Sequence, residues 1–419
     1  MIRPEWMWRT FVADSLEEAA EIERRAQAPS LRPLLLRAAV RVYLAGMNAF
    51  LGAMKLCLLK GNRTPAQIGS VVVYSQGTLG DSIVVLPALD ALRRRFPAVR
   101  LSWIVYSEAF DLSPLVRGTK LVDDLYLTAA EPLQRSGMKF VLTDERLKHL
   151  RCDLFVNLSP YGNRGLSGSI LREIVLARTL GATKAIGMKL NSCGRRGILN
   201  QVQHSFVRNE PRRVPAVLRE IGIEGISYPD ILPKDSAARE RMLKALSGFP
   251  QGRPMAVCNV GAKFEVKKWP AEKFRALCLR LVDHLDLSVV IVGLEAEREA
   301  AEEIARQNPT RIVNLAGRTS LPELFELLRL ARLCITNDTG TLHVATMIGV
   351  PTVALFTTRL SVTHWFPRGK NISAIFAFSP STYSYNDDDA VPDALADIPT
   401  DEVFSAASRR LRAQQNHNT

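Results

Sequence analysis

LCITNDTGTLHVATMIGVPTVALF, Leu333 to Phe356, decides how this chain folds. A short apolar run stops at Asn337-Asp338-Thr339-Gly340. Helical spacing then carries Thr341 to Gly349, and a second β-branched run follows from Thr352 to Phe356. Strand, loop, helix, strand is the unit from which parallel sheets are built. The start of that helix has no preceding turn, so the N–H groups of Thr339, Gly340 and Thr341 are available to an incoming phosphate. Asp338 would accept from sugar hydroxyls or hold the loop, and His343 would face a ligand or pack in the helix's first turn.

The same alternation extends in both directions. MAVCNVGA (255–262) reads as a strand and AEKFRALCLRLVDHL (271–285) as a helix. SVVIVGL (288–294), EREAAEEIAR (297–306), IVNLAG (312–317) and LPELFELLRLA (321–331) continue the pattern. Towards the N-terminus, SVVVYS (70–75), VRLSWIVYS (99–107), VDDLYLT (122–128) and CDLFVNLS (152–159) are strands. Helical stretches lie at 82–96 and 170–182. Two successive α/β domains follow, with ligands expected at the carboxyl ends of the strands. We expect a helical N-terminal extension at residues 1–64, a Rossmann-like acceptor domain at 65–232 and a linker at 233–250. A Rossmann-like donor domain at 251–396 and a C-terminal helix and tail at 397–419 complete the chain.

Three further segments carry chemistry. In VVVYSQGTLGDSIVVLPAL (71–89) a strand ends, Gly77 and Gly80 turn the chain, and Asp81 stands at a helix start. Asp81 reads either as a cap on that helix or as a general base that takes a proton from a hydroxyl. In NVGAKFEVKKWPAEKF (259–274), Gly261 lies in a loop with Lys263, Lys267 and Lys268, and Pro270 opens a helix. Lysines ahead of a helix suit a diphosphate, or are simply a solvated basic loop. In VVIVGLEAEREAAEEI (289–304), Glu295 and Glu297 follow a strand, where a carboxylate can hold ribose hydroxyls or favour a helix N-terminus.

Composition narrows the partners. Lys and Arg outnumber Asp and Glu by 55 to 42, so anions are attracted. No helix-turn-helix, zinc-finger or aromatic-basic signature supports nucleic acid. The glycine spacing is not G-x-G-x-x-G, which disfavours a dinucleotide oxidoreductase. Six cysteines, none in a C-x-x-C pair, fit a reducing cytoplasm, with Cys258, Cys278 and Cys334 as core thiols. The first ten residues run into an acidic stretch, which is wrong for an export signal. Residues 31–60 are apolar with Arg32, Arg37, Arg41, Lys55 and Lys60 interspersed. They read as a peripheral membrane contact or as a helix pair packed on the first domain. The basic stretch holding Arg195, Arg196, Arg208, Arg212 and Arg213 is a candidate for an acceptor's anions, or a solvated loop.

Five segments in order, at 77–97, 259–270, 289–301, 314–331 and 335–356, resemble glycosyltransferase family nine, the heptosyltransferases of lipopolysaccharide assembly. The resemblance implies a GT-B fold, two Rossmann-like domains facing across a cleft. It implies an inverting, metal-independent transfer with no cofactor beyond a nucleotide-sugar co-substrate, probably ADP-linked. The partners implied are that nucleotide sugar and an anionic glycolipid or glycan acceptor on the inner face of the inner membrane. By position, Asp81 matches the family's base and Lys267 the phosphate-contacting lysine. Asp338, Thr339, Gly340 and His343 match the D-T-G-x-x-H donor loop. Glu295 or Glu297 matches the acidic residue near the ribose, and Gly80, Gly261 and Lys263 line the donor segments. Ala262 and Lys263 replace the family's small hydroxylated residues, which leaves open another nucleotide sugar or a protein acceptor. A non-catalytic binding member of the fold is the remaining alternative.

Overall fold

The computed structural model describes residues 11–15, 17–19, 45–46, 48–59, 68–107, 111–136, 139–159, 166–188, 210–250, 252–357, 366–367, 371–377 and 394–415. Two compact units emerge: residues 28–227, and residues 1–27 together with 228–419.

The chain's first described element, β1 (Phe11–Ala13), belongs to the second of these units. Within the first, residues 48–58 form a helix, α1. Then come β2 (Ser70–Gln76), α2 (Leu79–Arg95), β3 (Arg100–Tyr106), β4 (Asp124–Thr128) and a hairpin of β5 (Leu133–Ser136) and β6 (Lys139–Leu142). β7 (Leu154–Asn157), α3 (Leu166–Thr179), β8 (Lys184–Ile186) and α4 (Glu210–Arg219) complete it. The sheet order is β4-β3-β2-β7-β8, all parallel. Central strands of parallel sheets are covered on both faces, which is why Val71 to Ser75 are all buried with no polar alternation.

The second unit continues with α5 (Ser236–Ala245), β9 (Met255–Asn259), α6 (Ala271–Leu285), β10 (Ser288–Val292), α7 (Arg298–Ala305) and β11 (Ile312–Asn314). α8 (Leu321–Leu330), β12 (Leu333–Asn337), α9 (Gly340–Ile348), β13 (Thr352–Thr357), β14 (Ile372–Ala377) and α10 (Thr400–Gln415) follow. Its sheet order is β1-β14-β13-β12-β9-β10-β11. From β9 the chain builds outward through β10 and β11, then returns to the other side of β9 with β12. Thr336 pairs with Asn259 there. The loops after β9 and β12 therefore part at the point where the strand order reverses, which is where open α/β sheets bind ligands. The expected core thiols Cys258, Cys278 and Cys334 are all buried.

Within the first 64 residues, 17–19 and 48–58 are helical and Phe11–Ala13 is a strand, and most of the remainder of the expected helical extension lies outside the described residues. It pairs antiparallel with β14, Val12 opposite Ile375, and covers an edge whose N–H and C=O groups would otherwise lack partners. Asp14 fixes the junction, accepting from Ser373 Oγ at 2.6 Å and pairing with Arg410 at 2.6 Å. Local periodicity does not register a strand of three residues whose partner lies more than 350 positions away. The Pro-rich segment before β9 is bolted to this same unit. Arg329 bridges Glu326 at 2.6 Å and Asp230 at 3.0 Å and donates to the Leu232 and Pro233 carbonyls.

Candidate active site

At the switch point two asparagines organise the loops. Asn337, the last residue of β12, is completely buried. Its Nδ2 donates to the carbonyls of Val260 and Gly261 at 3.2 and 3.1 Å, and its Oδ1 accepts the Trp269 N–H at 3.1 Å. One amide thus ties the loop after β9 at both ends. Asn259, the last residue of β9, donates to Thr336 Oγ1 at 3.2 Å and Thr339 Oγ1 at 2.8 Å. Buried amides with this many partners are costly to disturb, which makes the two loops one rigid piece. Sequence reasoning missed both residues. The available signal was an Asn closing each of two buried apolar strands, just where a ligand loop begins.

Trp269 anchors the far end of the loop. It is buried, donates from Nε1 to Ile398 O at 3.1 Å, and meets Phe274 edge-on at 4.9 Å. Lys267, two residues earlier in a short 3-10 turn, is thereby held over the start of α9. Its Nζ lies 2.6 Å from Asp338 Oδ2, with only 13% and 10% of the two side chains exposed. Thr339 is the N-cap of α9 and Gly340 its first residue. The first-turn amides of this helix have no preceding turn to bond to. His343 is buried one turn in. Burial drives its pKa down to about 4, Asp338 acting to raise it and Lys267 to lower it, so the imidazole is neutral near pH 7.

The structure separates the two glutamates that the sequence left equivalent. Glu297 is buried. Its Oε2 accepts the Leu294 N–H at 2.9 Å, and its Oε1 lies 3.3 Å from Lys268 Nζ. A Cβ on Gly261 would stand 2.7 Å from Glu297 Oε2, so this glycine is needed to admit the carboxylate to the loop floor. Glu295 is 67% exposed, pairs with Arg298 at 2.8 Å, and its carboxylate covers Gly317. Burial opposes the charge of Lys268, but Glu265 and Glu297 together hold its pKa above the usual lysine range. Lys263 is exposed, its ammonium 5.7 Å from the Phe264 ring. The basic loop is thus largely counter-charged, not a bare cation cluster. An ammonium, the open end of a helix and several fixed polar groups converge there, and this is the chemistry that receives a diphosphate.

The other candidate group lies in the unit of residues 28–227. Asp81 is the third residue of α2, with buried Gly80 just before it. Its Oδ2 accepts the N–H of the N-cap Thr78 at 2.5 Å and the Thr78 hydroxyl at 3.0 Å. Gly77 has φ +131°, and a Cβ there would lie 2.2 Å from Asp81 Oδ2. The capping reading of Asp81 is therefore realised, and the turn is built around its carboxylate. Of the basic stretch, Arg195, Arg196 and Arg208 lie outside the described residues, as does the side chain of Arg212. Arg213 is buried and donates to the Leu158 carbonyl, a structural use. Among the described residues, no group of three or more His, Cys, Asp or Glu side chains gathers as metal ligands would.

Comparison with known proteins bears on the family and the fold. Residues 170–384 match the model of glycosyltransferase family 9 (heptosyltransferase). The chain is 25% identical over 291 residues to lipopolysaccharide heptosyltransferase 1 of Pseudomonas aeruginosa, covering 68% of this chain and 78% of that protein. In fold it is similar to a family 9 glycosyltransferase of Veillonella parvula (TM-score 0.60, 19% identity, 82% of this chain and 97% of that one). It is also similar to the Escherichia coli ADP-heptose lipopolysaccharide heptosyltransferase II (TM-score 0.58, 18% identity, 83% and 99%). Two parallel α/β units of the GT-B class, and a family match across half the chain, lead to one conclusion: this chain belongs to glycosyltransferase family 9 and is a glycosyltransferase.

Proposed function

We propose that the protein transfers a heptose from ADP-heptose to a lipopolysaccharide-core acceptor, with inversion and without a metal. The observation that carries this reading is the Lys267–Asp338 pair at the open N-terminus of α9, at the switch point of the second sheet. A leaving diphosphate gains negative charge on its bridging oxygen as the sugar departs. Lys267 and the N–H groups of Thr339 and Gly340 neutralise that charge, and fixed donors of this kind stabilise a transition state by about 3–4 kcal/mol each. The acceptor hydroxyl attacks the anomeric carbon from the face opposite the leaving group, and Asp81 takes its proton. Glu297 serves the ribose end of the donor from the floor of the loop, beside Gly261. Arg195, Arg196 and Arg208 meet the acceptor's anions, and residues 31–60 rest on the cytoplasmic face of the membrane that holds it.

The test is thermal stabilisation against ADP, UDP, GDP and NAD, followed by an assay of ADP release from ADP-heptose with and without acceptor. A melting shift with ADP alone and acceptor-dependent release are expected. A shift with UDP or GDP in place of ADP would replace the donor assignment.

A further inference from the structure

The chain's positive charge is not spread evenly. Residues 28–227 hold 28 Lys and Arg against 14 Asp and Glu, whereas the rest of the chain holds 27 against 28. The excess is therefore confined to one unit. Within it, two long stretches contain no carboxylate. Residues 28–80 carry six basic residues, and so do residues 174–209. The fold joins these stretches. Lys55 Nζ on α1 donates to the Ala185 carbonyl at 3.0 Å, and Arg178 at the end of α3 donates to the Leu58 carbonyl.

Apolar exposure is concentrated in the same unit. Among the described residues the exposed large hydrophobic side chains are Phe50, Leu56, Phe140, Val141, Leu243 and Leu294, and the first four belong here. Phe50 and Leu56 lie on α1, with Leu56 78% exposed. Phe140 and Val141 are neighbours on β6, so they point to opposite faces of a two-stranded ribbon, yet both are exposed. The two elements share one footing. Leu51, Leu58 and Leu59 of the α1 segment and Leu133 and Leu142 of the hairpin all pack on the same core cluster. Apolar side chains held out to solvent, in a unit with an excess of positive charge, are what an anionic bilayer interface accommodates, apolar groups at the acyl boundary and cations at the headgroups.

We propose that α1 and the β5–β6 hairpin together form a docking face for an anionic phospholipid bilayer, with Phe140 and Val141 as a second insertion point in addition to Phe50 and Leu56. This deepens the proposed function, from which it takes the membrane as the acceptor's location. The hairpin lies outside the extension in which sequence reasoning placed membrane contact. Among the described residues no helix is long and apolar enough to cross a membrane. The face described is a surface contact.

The experiment is flotation of the full chain with vesicles of phosphatidylcholine, alone or with about 30% phosphatidylglycerol. Binding is expected to the anionic vesicles only, and to weaken as salt screens the headgroups. Leu56→Ser should reduce partitioning about tenfold, as withdrawal of one inserted leucine side chain predicts. The paired change Phe140→Ser/Val141→Ser should reduce it at least as much. All four side chains are solvent-exposed, and the melting temperature of each variant checks that folding is intact. Equal binding to both vesicle types, or no loss in the hairpin variant, overturns the proposal. So does a dimer that dissociates in that variant while flotation is unchanged, because the face would then join two copies of the chain. The ADP-induced melting shift without vesicles is read in parallel. Its absence alongside lipid binding defeats the functional reading and leaves the docking face standing, and the opposite pattern does the reverse.

Discussion

Asp81 and Asp338 stand at similar strand-to-helix corners of the two units, each following a buried central strand, yet their surroundings are unlike. Asp81 lies inside the first turn of α2 and takes hydrogen bonds from Thr78 of its own turn. Asp338 lies just before the N-cap of α9 and is paired with Lys267, which comes from a different loop 71 positions away. The Thr78 hydrogen bonds to the first carboxylate arise within a single turn of the chain. The second is held by tertiary structure, through Asn337 and Trp269, which fix the lysine loop against β12. Two similar strand-turn-helix corners thus yield a carboxylate bonded within its own turn in one unit and an ion pair set against open helix amides in the other.

That contrast can be broken most sharply at Asp81. Asn keeps a cap acceptor but cannot take a proton. Asp81→Asn should therefore melt close to the wild type and lower turnover by about 10²–10⁴-fold, the usual contribution of a general base. Asp81→Ala should lose the turnover and also about 1 kcal/mol of cap stability. Near-normal turnover in the Asn variant, measured by ADP release, would leave Asp81 as a cap and nothing more.

At the other corner, Lys267→Ala should lower turnover by about a hundredfold or more and abolish the ADP-induced melting shift. It also strands the mostly buried Asp338. Removing both partners with Lys267→Ala/Asp338→Ala should accordingly restore part of the stability lost in the single variant. Denaturant unfolding of the two single variants and the double one measures this coupling, and strict additivity would mean that the pair is not an interacting unit.

Asn337→Ala tests whether the lysine corner is assembled at a distance. It leaves two carbonyls and one N–H without their buried partner and should cost about 1–3 kcal/mol in unfolding free energy. ADP affinity should fall with it, although the side chain is directed at the loop backbone. Unchanged ADP affinity in a variant with a lowered midpoint would show that the loops hold their places without the amide.

A further expected effect is on pH. His343 has its folded pKa lowered to about 4, below its unfolded value of 6.5. Between those values the unfolded chain binds the proton and the folded chain does not, so stability present above pH 6.5 is lost as pH falls towards 4. His343→Gln removes this titration. Its melting temperature should fall less steeply across that window than the wild type's, and parallel curves would place the pH response in other groups.

Much of this organisation was legible in the chain itself. The buried runs Val71–Ser75 and Leu333–Asn337 read as strands because parallel sheets tolerate no polar alternation. The glycines and cap residues that follow mark the helix starts, because backbone sterics and first-turn donors act over a few residues. Those signals marked the corners where Asp81 and the Asp338–His343 loop stand, whereas Lys267 was singled out among the loop's lysines only by the family resemblance. They gave no means of choosing between Glu295 and Glu297, since both sit in the same turn and only burial against Gly261 distinguishes them.

The sequence by itself determined strands β2 to β4, β7 and β9 to β13, the helix starts that follow them, the acid-free basic stretches and the kinds of residue at each corner, because all of these follow from interactions within a few positions of the chain. Only the tertiary structure decided that Phe11–Ala13 would pair with β14, that Lys267 would meet Asp338, and that one buried asparagine would tie two loops together. Each of those is a pairing of groups far apart in sequence, and hydrogen bonds and ion pairs of that kind form only once the hydrophobic sheets have brought their partners within about 3 Å.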